Sequence, residues 1–357
     1  MSERIGLRVG PEHVGARVVL RRRAPGGRYV DLLGDLISWT DGMARVRTRK
    51  GEAAVPIDQV VASRLVPPPP TRRGASHLAL SLAALEDVAA DGWRPLDQAW
   101  IGVPGRGWRL RAAGGFTGRA NSVLAVGEPG LPVSQAIQAA ETWYAERGLP
   151  CRFAVPWELD APTLPDGARD TELDAELRRR GYALDCPTLM LTAATREVAG
   201  AVLRPGAVPM AGGLRLDLAD EPDEAWASSY RYRGEPLPDL ARRVLMSAPA
   251  QVFVSVRDAT HTVAVARGAS SRGWTGVSAM LVADSHRRRG LGREVLGAIA
   301  GWAIDRGDRS AYLQVADDNA PARALYASAG FAAHHGYQYR LLPTSGGVST
   351  PQRAARG

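Results

Sequence analysis

Two stretches of the chain run through the same succession of elements, and this repetition restricts the available folds more than any other feature. In the first, an apolar strand (Ser122 to Val126) leads to a helix from Val133 to Arg147 stopped by Gly148. A strand from Arg152 to Val155, a helix from Thr171 to Arg180 ended by Gly181-Tyr182, and a closing strand from Thr188 to Leu191 follow. The second series has a strand from Ser278 to Val282, then a helix from Arg293 to Arg306 with Val295, Leu296, Ile299 and Ala303 at helical spacing and Gly307 as its stop. It continues with a strand from Ala311 to Val315, a helix from Ala322 to Ala329 ended by Gly330-Phe331, and a closing strand from Tyr337 to Leu342. Local likeness persists between Trp143-Tyr144-Ala145-Glu146-Arg147-Gly148 and Trp302-Ala303-Ile304-Asp305-Arg306-Gly307. The pattern predicts an α/β protein of tandem halves, residues 77–198 and 214–342, joined by the Gly- and Pro-rich stretch 199–213.

Ahead of the repeat, Val66-Pro67-Pro68-Pro69-Pro70-Thr71-Arg72-Arg73-Gly74 fits neither a helix nor a central strand, so residues 67–76 read as a linker. Before it, Val14 to Leu20, Val30 to Ser38, Met43 to Thr48 and Ala54 to Ile57 read as short strands divided by Pro25-Gly26-Gly27 and Asp41-Gly42. Short strands in this density without a helical pattern suggest a small SH3-like β-barrel over residues 1–66. Charge is concentrated here: residues 1–74 hold 14 basic and 7 acidic side chains, seven of the eight net positive charges of the 357-residue chain. Lys50 is the only lysine, so the arginine bias with abundant Ala and Gly points to genome composition more than to a polyanion-binding surface. Residues 343–357 read as a disordered tail. No run approaches the length of a membrane span, and the first residues lack the apolar stretch of a signal peptide, so a cytoplasmic protein is expected. Cys151 and Cys186 are too few for a disulfide framework and lack zinc spacing; both are expected as small core residues, and no metal site is expected.

The chemistry-bearing segment is Leu281-Val282-Ala283-Asp284-Ser285-His286-Arg287-Arg288-Arg289-Gly290-Leu291-Gly292-Arg293, a strand passing through a basic turn into a helix. Glycines permit close backbone approach, helix-start amides and the helix dipole attract an anion, and arginines add charge-assisted bonds, so the turn suits a pyrophosphate. It is neither a GxGxxG dinucleotide fingerprint nor a GxxxxGK[ST] phosphate loop. Downstream, Asn319-Ala320-Pro321-Ala322-Arg323-Ala324-Leu325-Tyr326-Ala327-Ser328-Ala329-Gly330-Phe331 has the form NxxAxxLYxxxGF. Together, in this order and spacing, the two segments resemble the signatures of the GNAT superfamily of N-acetyltransferases, well over residues 214–342 and more distantly over 77–192. The N-terminal unit, through Val18-Val19-Leu20-Arg21-Arg22-Arg23, Gly34-Asp35-Leu36 and Pro67-Pro68, resembles the barrel that precedes the catalytic part of some actinobacterial members.

The resemblance implies acetyl-CoA as donor, its pyrophosphate on Arg287, Arg288, Arg289, Gly290, Leu291, Gly292 and Arg293 and its pantetheine along Leu281 and Val282. Asn319 would touch the pantetheine arm, cap the following helix, or both. It also implies Tyr326 as the general acid that protonates the departing thiolate; packing on an amphipathic helix is the alternative. Aligned on Gly181-Tyr182, the earlier half has Leu177 where Tyr326 stands and Gly127-Glu128-Pro129-Gly130-Leu131-Pro132 in place of the arginine turn. An acid, prolines and no arginine make a poor pyrophosphate cradle, so this half reads as a degenerate copy that helps shape the acceptor pocket. No acid stands on the strand before the turn; Asp317 and Asp318 are candidate bases or simply a solvated turn, and Glu224 and Glu235 are further candidates. His334 and His335 read as loop residues at the surface, with a proton shuttle as the lesser alternative. In the first half, Arg119 and Asn121 could bind an acceptor carboxylate or carbonyl, or bridge the halves structurally.

These readings lead to transfer of acetyl to a primary amine of a metabolite, antibiotic, amino-acid derivative or protein. The alternative is an acetyl-CoA-sensing protein whose basic barrel engages nucleic acid or a partner protein, with affinity falling steeply in salt.

Overall fold

The computed structural model describes residues 9–24, 27–40, 42–66, 74–202, 213–230 and 237–342. The expected linker core at 67–73, most of the 199–213 joint, Glu235 and the 343–357 tail lie outside the described residues.

Alternating apolar side chains build the N-terminal region. Strands β1 (Arg17–Arg23), β2 (Tyr29–Thr40), β3 (Met43–Thr48), β4 (Gly51–Pro56) and β5 (Val60–Leu65) form an antiparallel sheet in the order β4-β3-β2-β1-β5. The two-residue period turns Val18 and Leu20 inward onto Leu36, Ala44, Val46 and Val55. The region rests on the first half where Gly15 meets Gly105 so closely that a Cβ at Gly15 would lie 2.9 Å from the Gly105 Cα.

The rest of the chain contributes α1 (Leu82–Ala90), β6 (Asp97–Ile101), β7 (Trp108–Ala112), β8 (Val123–Leu124), α2 (Val133–Ala145), β9 (Arg152–Trp157), α3 (Glu172–Arg179) and β10 (Ala183–Ala194). Then come α4 (Thr195–Val202), β11 (Arg215–Ala219), α5 (Glu224–Ser229), α6 (Ala241–Leu245), β12 (Ala250–Arg257), β13 (Thr262–Ser271) and β14 (Trp274–Val282). The last elements are α7 (Leu291–Asp305), β15 (Ser310–Ala316), α8 (Ala320–Ser328) and β16 (Ala332–Leu341). All eleven strands from β6 onward join one mixed sheet, ordered β11-β12-β13-β14-β15-β10-β16-β9-β8-β7-β6.

The halves therefore exchange their closing strands. β10, the end of the first series, pairs with β15 of the second, and β16, the end of the second, pairs with β9 of the first. Buried polar contacts fix the exchange. The Arg340 guanidinium on β16 donates to both carboxylate oxygens of Asp174 on α3, at 2.7 and 2.8 Å, and the Gln338 amide donates to the same carboxylate. Gly336 sits where a Cβ would overlap the Trp157 ring of the neighbouring β9.

Each face of the second half's sheet has its own cover. Val295, Leu296 and Ile299 of α7, with Val198 of α4, pack on Val252, Val254, Ala264 and Leu313. On the other face Trp226 of α5 and Val244 and Leu245 of α6 meet Phe253, Val265 and Trp93 of the first half. Alternation along β13 thus assigns Ala264 and Ala266 to the α7 side and Val265 to the other.

Candidate active site

A fork between two parallel strands makes the site. β14 and β15 pair in parallel only from Trp274–Val277 against Ser310–Leu313. β14 also carries a bulge, since Arg267 pairs with Ser278 while Val265 pairs with Leu281, and Ala279 takes φ +52° to accommodate the extra residue. Beyond that point the strands part around a cavity of about 390 Å³ lined by Ser278 to Leu281, Gln314 to Ala316 and Tyr326, and by Trp93, Arg119 and Tyr337 on the side of the first half.

At the outer end of β14, Leu281 and Val282 are half-buried, and the basic turn follows. Arg288 at φ +59° and Gly290 at φ +88° bend the chain so that Gly290 becomes the N-cap of the 15-residue α7, whose first-turn amides lie beside exposed Arg288 and Arg289. Arg287 folds back on its own turn, 2.8 Å from the Asp284 carboxylate. Leu291 is buried in the α7 core. Gly292 is needed for packing, because a Cβ there would lie 3.0 Å from a Leu325 methyl and 3.3 Å from the Met280 methyl. Arg293 points along α7 and donates to Ser328 Oγ at 2.9 Å and the Ala201 carbonyl at 2.6 Å. The exposed cations at the helix start are therefore Arg287, Arg288 and Arg289.

Tyr326 lies on the inner face of α8, buried, with its ring against Phe331 and its hydroxyl 3.9 Å from Met280 Sδ at the cavity wall. Burial pushes its phenol up to about 12, so the hydroxyl keeps its proton across the neutral range. Asn319 lines the cavity and caps α8, its side-chain oxygen accepting from Ala322 N at 3.2 Å. No Asp, Glu or His is among the described residues lining the cavity. Asp317 is paired with Arg323 at 3.2 Å, Asp318 is exposed, and Glu224 is exposed at the start of α5.

Three expectations change. His334 and His335 lie in β16, not in a surface loop, because that strand begins at Ala332; both are buried, with their Nδ1 atoms 2.8 Å apart and His335 Nε2 2.9 Å from Glu86 of α1. Cys186 is half-buried in the cavity wall at a bulge of β10, where it takes φ +47°, while Cys151 is buried as expected and its thiol is pushed up to about 12 by burial. Asn121 organises its own loop: its oxygen accepts from Ala113 and Gly115 amides at 2.7 and 2.8 Å, and its nitrogen donates to the Phe116 and Thr117 carbonyls. Arg119 does line the cavity, donating to Gln314 and lying over Trp93.

The sequence reading missed Trp93, Arg267 and Ser278, all in the cavity wall. Arg267 had a visible signal: it is the one charge in the apolar run Val263-Ala264-Val265-Ala266-Arg267-Gly268-Ala269.

Among proteins of known family, residues 81–340 match the family described as "Probable histone acetyltransferase Rv0428c C-terminal". The chain belongs to that family. A Mycobacterium tuberculosis relative, "Probable histone acetyltransferase Rv0428c", is 31% identical over 339 residues, covering 91% of this chain and 94% of its own. "Uncharacterized N-acetyltransferase YobR" of Bacillus subtilis is 26% identical over 271 residues, 72% of this chain and 97% of its own. Among solved structures, a GCN5-related N-acetyltransferase from Kribbella flavida superposes with a TM-score of 0.50 at 18% identity, covering 73% of this chain and 95% of its own. A tandem GNAT protein from the clavulanic acid biosynthesis pathway superposes at 0.50 and 15% identity, covering 75% and 89%. The family assignment makes the chain a GNAT N-acetyltransferase with a tandem GNAT-like arrangement. Among the described residues no helix is long and apolar enough to cross a membrane, and no cluster of His, Cys, Asp or Glu is placed to hold a metal ion.

Proposed function

We propose that the protein transfers the acetyl group of acetyl-CoA to a primary amine, with Tyr326 as general acid. The observation that carries this reading is the fork of β14 and β15, which has the arginine turn at its outer end and the Tyr326 hydroxyl in its wall. The donor's pyrophosphate would meet the α7 amides with Arg287, Arg288 and Arg289, and its pantetheine would follow Leu281 and Val282 past the Asn319 side of the cavity. The neutral amine attacks the thioester carbon, forming the C–N bond; the intermediate collapses by C–S cleavage, and the thiolate takes the Tyr326 proton. A buried phenol whose hydroxyl donates to the weak acceptor Met280 Sδ is a weak acid in the free protein, and a neighbouring thiolate is the base it is suited to protonate. With no acid or histidine among the described lining residues, the amine's own proton leaves to solvent.

The first half fits a structural copy that walls the acceptor side. The N-terminal sheet, a meander whose fifth strand returns to the first, supports an SH3-like barrel. Calorimetric titration of the full chain with acetyl-CoA and with CoA tests the reading: binding that an Arg288→Glu, Arg289→Glu double variant loses is expected, and absence of binding to the unaltered chain overturns it.

A further inference from the structure

Arg267 stands at the root of the fork, on the sheet face opposite α7, and it is fully buried. Its guanidinium lies 4.8 Å from the centre of the Trp93 ring, yet none of its three nitrogens makes a hydrogen bond among the described residues. Its cross-strand partner Ser278, the first residue of the splayed segment, has a buried Oγ that is likewise unpaired. Both side chains belong to the cavity wall. A second cation, Arg119, shares that wall and the Trp93 ring, while no described carboxylate lines it.

Burial without a partner is costly for a cation, and it pulls the Arg267 guanidinium down to about 10, with the Tyr312 and Tyr230 hydroxyls opposing only weakly. Other buried arginines here are satisfied: Arg340 has Asp174, and Arg272 has Asp87 and Asp91. Arg267 differs in facing the cavity. The missing partner is an anion that arrives from outside, and a planar five-donor fork beside a hydroxyl suits a carboxylate.

Resting on the acetyltransferase reading, we infer that the acceptor is a small amine that itself bears a carboxylate, which Arg267 and Ser278 bind while Arg119 supplies a second positive charge. Arg267 faces the Trp93 and Tyr230 side of the cavity, and the donor turn lies at the α7 end, so amine and thioester meet in the fork. A basic peptide is the wrong acceptor for this wall, since both of its charged residues would repel it.

The test uses the full chain and a panel of α-, β- and γ-amino carboxylates and aminobenzoates, each paired with its carboxamide. Two readouts are taken: thermal stabilisation without acetyl-CoA, and thiol release with it. Carboxylates are expected to stabilise the protein and to exceed their carboxamide twins in kcat/KM by about 100-fold or more. Arg267→Met should erase that discrimination, and Arg267→Lys should restore part of it, while acetyl-CoA titration of both variants stays unchanged and reports that they are folded. Equal response to the twins in the unaltered chain, no response from any panel member, or discrimination that survives Arg267→Met each overturns the inference. Failure of the acetyltransferase reading is separately visible as absence of acetyl-CoA binding, because the stabilisation readout does not require the donor.

Discussion

Helix α8 and its counterpart α3 are closed by the same device. Gly330 at φ +90° lets the Phe331 amide donate to the Tyr326 carbonyl at 3.0 Å, and Gly181 at φ +85° lets the Tyr182 amide donate to Leu177 at 3.0 Å. The backbone equivalence makes the side-chain difference interpretable. One position holds a phenol at a cavity wall; the other holds a fully buried leucine among Ile137, Phe153 and Tyr182. The helix starts diverge in the same sense. The α7 turn is basic, whereas the turn before α2, though also exposed, carries an acid and prolines and is tied to a neighbouring loop, with the Glu128 amide bonded to the Arg106 carbonyl at 2.9 Å and Gly102 pressed against the Glu128 and Pro129 carbonyls. One hydrogen-bond frame can thus carry different side-chain chemistry, because frame and chemistry rest on different atoms.

The contrast is most exposed at Tyr326. Replacing it with Phe should lower kcat by about 10²- to 10⁴-fold with acetyl-CoA affinity unchanged, which steady-state kinetics and titration check together. Because the Tyr326 phenol is held near 12, the rate of the unaltered enzyme should rise with pH as the acceptor amine loses its proton and show no decline from Tyr326 ionisation below about pH 11.

If α3 serves structure as α8 serves chemistry, Asp174→Asn should leave Arg340 buried without its charge partner and cost about 3–5 kcal/mol by denaturant titration. Acetyl-CoA affinity should fall by about 10- to 100-fold in Arg288→Glu, from the loss of one charge-assisted contact. A smaller effect attends Asp91, which joins the first half to Arg272 on the β13–β14 turn. Burial raises its carboxyl, but the charges of Arg272 and Arg94 and the Ser271 hydroxyl outweigh this and hold it below the ordinary 3.8. Its contribution is therefore full above pH 3.8 and lost as pH falls through its lower folded value; thermal melts in that acidic range should show a loss that Asp91→Asn no longer has. Least affected should be Glu128→Arg, which adds a positive charge to the turn before α2: acetyl-CoA affinity should stay within about threefold, and a large gain would break the comparison.

Much of this is legible in the sequence itself. Glycine stops, apolar periodicity and the strand–turn–helix of Leu281 to Arg293 are local, and α2, α3, α7 and α8 fall within a few residues of their expected bounds. The exchange of β10 and β16 was hidden, because strand pairing is decided between residues over a hundred positions apart and an apolar strand such as Leu189 to Ala193 can pair with any neighbour that buries both its faces. That exchange also buried His334 and His335. Asn121 was misread because a polar side chain in a Gly-rich loop can bind ligand or its own backbone, and only the loop's path decides. Arg267 escaped notice because one charge in a strand gains meaning only from what stands opposite.

The exchanged strands also set a schedule for synthesis. β9 leaves the ribosome well before its neighbour β16, so its edge stays open for the translation of everything from Trp157 to Ala332, roughly 9–35 s at about 5–20 residues per second. The first half cannot complete itself in that interval, and the nascent chain must carry an unfinished β-edge, a natural point of chaperone engagement, until β16 is released into place.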